Sequence, residues 1–220
     1  MTFLPLLSRW KPMLRTGLLA LGTLAVYILF PAESRLNATV QSVLLGAALF
    51  VVVPILYVKL ILRAPLSSLG FQDSTRRLGF LAVPLVAILV LSVWYVLLRI
   101  FPVSDSYFLP VAIRSSFPLF LLYEVVLVGL IAFLYEVFFR GLVLILWLRR
   151  FGLGAAFFQA GLFLAFVAVS GNGLVWQDAP LLLSATASGF IASYTRSIPY
   201  SWVTAWLVLF LSDVLILVIR

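Results

Sequence analysis

Seven apolar runs, at 14–31, 40–62, 78–100, 118–148, 154–170, 179–194 and 200–219, take up most of this chain. A helix needs about 20 such residues to cross a hydrocarbon core ~30 Å thick. Most of the runs reach or approach that length, and the fifth and sixth are the short ones. Breakers punctuate the intervals: Pro31-Ala-Glu-Ser, Arg63-Ala-Pro-Leu, Phe101-Pro-Val-Ser-Asp, Phe151-Gly-Leu-Gly and Ser170-Gly-Asn-Gly. Hydrophobic residues are 65% of the 220 and charged ones 10%, far from the balance of a soluble globular domain. The expected fold is all-α: a polytopic transmembrane helix bundle of about seven spans, a single integral membrane domain over 1–220. The first apolar run is too long for a secretory signal, and many more follow it.

The net charge of +8 would point to nucleic acid in a soluble protein. Here the basic residues collect where membrane topology wants them, so no nucleic-acid partner is expected. With the N-terminus cytoplasmic, inner loops gather Arg9, Lys11, Arg15, Lys59, Arg63, Arg76, Arg77, Arg149, Arg150 and Arg196. Outer loops keep Arg35, Arg99, Arg114 and Arg220, together with Glu33, Asp105 and Asp178. That asymmetry predicts a multi-pass protein, N-terminus in and C-terminus out. Residues 1–13, with Arg9, Trp10 and Lys11, read as a short interfacial segment. The partners expected are the lipid bilayer and other membrane proteins; 19 Phe, 8 Tyr and 6 Trp suit helix–helix contact and lipid contact equally.

The fourth run is the unusual one. From Pro118 to Leu148 a helix extends roughly 46 Å at 1.5 Å per residue, so it must tilt, bend near Gly141 or project into the cytoplasm. Inside it an acid and a base, Glu136 and Arg140, stand four residues apart and share one helix face. Charges left alone in lipid cost several kcal/mol each, so this pair faces protein or a water-filled cavity.

The run Tyr135-Glu136-Val137-Phe138-Phe139-Arg140-Gly141 resembles the first signature of the CAAX-protease and bacteriocin-processing (CPBP) family, in which Glu-Glu is followed by three residues, Arg and Gly. Leu148-Arg149-Arg150-Phe151-Gly152 is similar to the basic turn that follows it. Ala64-Pro65-Leu66-Ser67-Ser68-Leu69-Gly70-Phe71 is similar to the family's amphipathic cytoplasmic stretch. Gly189 and Thr195-Arg196-Ser197-Ile198 look like its glycine and its threonine-glycine-serine turn. The likeness covers roughly 60–215. It implies the family's membrane topology and the site of a CAAX prenyl protease-like, glutamic-type intramembrane endopeptidase. That site comprises paired glutamates, a histidine after a phenylalanine, and a second histidine with asparagine or aspartate, together activating a water.

Most of that set is missing here. The first glutamate slot is Tyr135, and a phenol, protonated at neutral pH, is no general base. The first histidine slot falls at Val167, counting from Phe163, or at Ser170, counting from Phe166. The second falls at Ala205 and the asparagine slot at Leu209; neither alkyl group can hold an oxyanion. Glu136 and Arg140 are the remnants of the catalytic motif. The resemblance is therefore to a degenerate member, a non-catalytic pseudoprotease serving as a binding, assembly or accessory subunit of a membrane complex. Two alternatives stay open: an active glutamate-dependent endopeptidase helped by Ser170 or Asp213, and a small lipid or solute transporter.

The other intramembrane polar residues are Glu124 and Asp213. Glu124 lies about 18 Å and a third of a turn from Glu136 along a helix, too far for a dyad, and Arg99 or Arg114 is its expected partner. Asp213 is expected to meet a hydroxyl or an arginine on a facing helix, or to act as a shifted ligand. The Glu136–Arg140 pair reads as a structural ion pair or as the wall of an inherited cavity in which Arg140 grips a carboxylate or phosphate. Small residues Ser184, Ala185, Ala187, Ser188, Gly189, Ala192 and Ser193 favour close helix packing. Without histidine or cysteine, a zinc site is not expected, and no phosphate-cradling P-loop appears; neither a metal nor a cofactor is expected.

Overall fold

The computed structural model describes residues 4–30, 38–71, 76–101, 111–171 and 173–219. Among them the chain runs through seven long helices and no strand. These are α1 (Leu4–Leu29), α2 (Ala38–Ile61), α3 (Arg76–Ile100), α4 (Phe117–Leu148), α5 (Gly154–Ser170), α6 (Ala179–Thr195) and α7 (Ile198–Ile219). Helical backbone continues past α4 to Phe151, and one turn, Val111–Arg114, precedes it. Four stretches, Ala38–Ile61, Gly79–Ile100, Phe117–Leu148 and Ile198–Ile219, are long and apolar enough to cross a membrane. Apolar side chains cover these helices all round, the pattern of a span rather than of a soluble surface helix. The protein is a helical membrane bundle. One boundary differs from expectation: α1 starts at Leu4, so most of the segment expected as separate at 1–13 is continuous with the first apolar run.

Close approaches fix how the helices run. Gly17 of α1 lies on Trp147, and Gly46 of α2 on Leu134, so α1 runs against α4 and α2 alongside it. Gly79 of α3 meets Tyr200 of α7, while Leu98 packs with Ile216 further on, so these two are parallel. Directions therefore alternate along the chain, and α4 sits against both halves of the bundle. Its inner face carries the densest packing. Phe50, Tyr135, Phe138, Phe139, Phe163 and Phe166 form one aromatic cluster, with neighbouring centroids 4.9–6.4 Å apart in edge-to-face and tilted arrangements.

Helix α4 is not regular. It winds wider into π-helical turns at Tyr123–Val128 and again at Glu136–Ile145. A wider turn frees main-chain carbonyls from the usual ladder, and in an apolar bundle each needs another donor. Two tryptophans of α7 add bonds at the first of these stretches: Trp206 Nε1 donates at 2.9 Å to the Glu124 carbonyl, which also accepts from Gly129 N, and Trp202 Nε1 donates to the Gly129 carbonyl at 2.8 Å. Gly141 lies within the second wide stretch and serves close approach. A Cβ there would come within 2.9 Å of Ile198 Cδ1 and 3.1 Å of the Leu69 carbonyl oxygen.

The segment before α3 closes that end of the bundle. Leu66–Leu69 forms a 3-10 turn, with Leu69 fully buried, and Gly70 at φ +93° turns the chain. The Gly70 carbonyl then accepts from Ile198 N at 3.0 Å, tying the segment to the start of α7. Arg196, in the turn between α6 and α7, adopts φ +52°, a left-handed conformation that glycine takes more cheaply.

Candidate functional site

Glu136 and Arg140 face inward between α5, α6 and α7, each 1% exposed. Arg140 Nε lies 3.2 Å from Glu136 Oε1. Its N–H is not aligned on that oxygen, so the contact is an ion pair rather than a hydrogen bond. The other end of the guanidinium donates from Nη2 to the Ala185 carbonyl of α6 at 2.5 Å. Its plane sits over the Phe163 ring of α5, with Cζ 5.5 Å from the centroid. One side chain of α4 thus grips two other helices.

The carboxylate has its own neighbours. Ser188 of α6 and Ser201 of α7 reach Glu136 with their hydroxyls. Each hydroxyl has one proton and two acceptors in range: the carboxylate, and a carbonyl of its own helix. Those carbonyls are Ala185 for Ser188, at 3.3 Å, and Ile198 for Ser201, at 3.0 Å. Glu136 Oε2 is left without a donor. Gln159 of α5, fully buried, also has both amide atoms unpartnered, and its Oε1 would lie 2.8 Å from a Cβ added at Gly189. Gly189 makes room for that amide. Neither Ser201 nor Gln159 stood out in the sequence, because a single polar residue in an apolar run gives no periodic signal.

The positions matched to the missing catalytic groups are scattered. Tyr135 packs edge-on to Phe139, Phe163 and Phe166. It lines a cavity of about 340 Å³ with Tyr27, Thr39, Ser42, Gly46 and Phe50. That cavity lies among α1, α2 and α4, whereas Glu136 and Arg140, which do not line it, face the other helices. Val167 is buried in the aromatic core. Ser170, at the far end of α5, lies about 10 Å along the axis from Phe163 and gives its hydroxyl to the Phe166 carbonyl at 2.8 Å. Ala205 is buried and Leu209 half-buried on α7, about one and two turns beyond Ser201.

Glu124 and Asp213 correct the sequence reading. Glu124 is fully buried, and the group facing its carboxyl is Asp213 of α7 rather than Arg99 or Arg114. Arg99 bonds instead to the Tyr95 phenol. Asp213 meets this acid, and the Tyr123 phenol of α4 lies near it as well. Written as two carboxylates, the pair has no proton to share, and both Glu124 oxygens lack a hydrogen-bond partner among the described residues. One proton between the two groups turns the clash into an acid–acid hydrogen bond. Asp213 lies twelve residues beyond Ser201, about 18 Å along α7, and so stands away from Glu136, as Ser170 does at the far end of α5. Among the described residues no group of three acids, histidines or cysteines could hold a metal ion.

Compared with protein-family models, curated proteins and solved structures, the chain matches no family model, no curated protein and no solved structure.

Proposed function

We propose that this chain is a non-catalytic membrane protein of the CAAX-protease and bacteriocin-processing type, a pseudoprotease that serves as a binding, assembly or accessory subunit of a membrane complex. In this reading all seven helices span, the N-terminus is cytoplasmic, the topology is that of the family, and the partners are other membrane proteins. The observation that carries it is the engagement of the Glu136–Arg140 pair. The guanidinium is divided between Glu136 and the Ala185 carbonyl and covered by Phe163, and both side chains are 1% exposed. A hydrolytic glutamate needs a substrate carbonyl, a water and an oxyanion donor within hydrogen-bond reach. Here the nearest side chains are two serines and an arginine already paired. The alternation of helix directions supports the span count, since each helix carries the chain back to the opposite end.

Two measurements test it. Purified protein and its Glu136→Gln variant, assayed against a panel of transmembrane and prenylated peptides, are expected to give the same background cleavage. Turnover by the unmodified protein that the variant abolishes would establish the endopeptidase alternative. Affinity purification in mild detergent is expected to recover a stoichiometric membrane partner, whose absence across detergents would refute the accessory-subunit reading.

A further inference from the structure

Helices α3 and α7, parallel and packed along their length, leave a groove of about 570 Å³ on the outside of the bundle. Its walls are Ile88, Leu91, Tyr95 and Val96 from α3 and Leu211, Val214, Leu215 and Val218 from α7, almost wholly apolar. Ser92, also in the wall, has its hydroxyl bonded to the Ile88 carbonyl at 2.8 Å, so it offers nothing to a polar guest. From Ile88 to Val96 the groove follows the helix axis for about 12 Å, the scale of part of a lipid tail. An apolar slot of this kind inside a bilayer is filled by hydrocarbon.

One end of the slot is charged. Arg99 stands four residues beyond Tyr95 and three beyond Val96, on the same face of α3. Its Nε and Nη2 donate to the Tyr95 phenol oxygen at 3.2 and 2.9 Å, and Cζ lies 5.2 Å from that ring's centroid. The ring therefore holds the guanidinium at the mouth of the groove. Arg99 is exposed and pairs with no acid among the described residues. Because the phenol accepts both bonds, its own proton and the remaining guanidinium donors have no partner among the described residues. Nearby, at the same end of α3, Trp176 stacks on Phe101 with centroids 4.3 Å apart, an aromatic pair suited to headgroup depth. A planar cation with a neighbouring hydroxyl donor matches a phosphate.

We propose that the α3–α7 groove binds one phospholipid of the surrounding leaflet, with an acyl chain between Tyr95 and Val214 and its phosphate held by Arg99 and the Tyr95 hydroxyl. The site is independent of the Glu136 reading, since it shares no residue with it.

Native mass spectrometry of the full chain, released from detergent with added dioleoyl phosphatidylglycerol or dioleoylglycerol, tests both halves. Arg99→Gln is expected to lower phosphatidylglycerol retention about tenfold while leaving dioleoylglycerol retention unchanged. Val218→Trp, at a groove-lining position 77% exposed, puts a larger ring in the slot and is expected to lower retention of both lipids to the background set by bulk detergent exchange. Unchanged phosphatidylglycerol retention in Arg99→Gln, or unchanged retention of either lipid in Val218→Trp, would mean ordinary annular lipid only and overturn the proposal. Circular dichroism and elution volume matching the unmodified protein establish that each variant is folded.

Discussion

Glu124 and Glu136 each follow a tyrosine on the same helix, twelve residues apart, and both are almost wholly buried. What they face differs. Glu136 has Arg140 one turn along its own helix, with Ser188 and Ser201 opposite. Among the described residues Glu124 faces another acid, Asp213 of α7, and no base. In the first case opposite charges are matched, and each helps keep the other ionised in a place where either alone would be very costly. In the second the acids are reconciled by a proton between them. Both place polar chemistry in a wide turn of α4. Neighbours, more than residue type, set how a buried carboxylate is accommodated.

Four substitutions separate the two regions, beginning with the largest effect. Arg140→Met leaves Glu136 buried without its counter-charge and should cost about 3–5 kcal/mol, read as a large fall in the thermal midpoint of detergent-solubilised protein. The double change Glu136→Met with Arg140→Met removes both charges and should recover most of that loss. A double variant as unstable as the single one would mean that the grip on Ala185, not the charge, matters. Next comes Trp206→Phe, which removes the indole donor from the Glu124 carbonyl, leaves it the Gly129 N–H, and should cost about 0.5–1.5 kcal/mol by the same measurement. The smallest effect is expected for Glu124→Gln. Its amide gives Asp213 a donor without needing a proton, so the change should stay below about 1 kcal/mol. Equal losses for Glu124→Gln and Arg140→Met would erase the distinction between the regions.

The helices were legible because their signal is local. Runs such as 154–170 and 118–148 correspond closely to α5 and α4, and the breakers at Gly152 and Gly171 stand where those helices end. Spacing alone also placed Glu136 and Arg140 on one face, and the ion pair is there. Other features left no mark at that scale. Arg99 and Arg114 are the bases that the expected topology puts at the same outer end as Glu124, yet the helices are rotated so that it meets Asp213. Ser201, Ser188 and Gln159 stand near or against the buried pair only because α5, α6 and α7 converge there. The wide turns of α4 leave no mark either, since neither Tyr123–Val128 nor Glu136–Ile145 carries a proline to signal a change of winding.

Composition and the length of its apolar runs therefore determined that this chain is a bundle of membrane helices, with an acid and a base on one face of the longest. Water is absent from that setting, and helix is the economical way for such segments to satisfy their own backbone. Only the assembled bundle decided which buried carboxylate meets a base and which meets another acid, where the cavity lies, and which helix pair leaves a groove. Those outcomes depend on how each helix is rotated and where it crosses its neighbours, quantities shared among segments far apart in the chain.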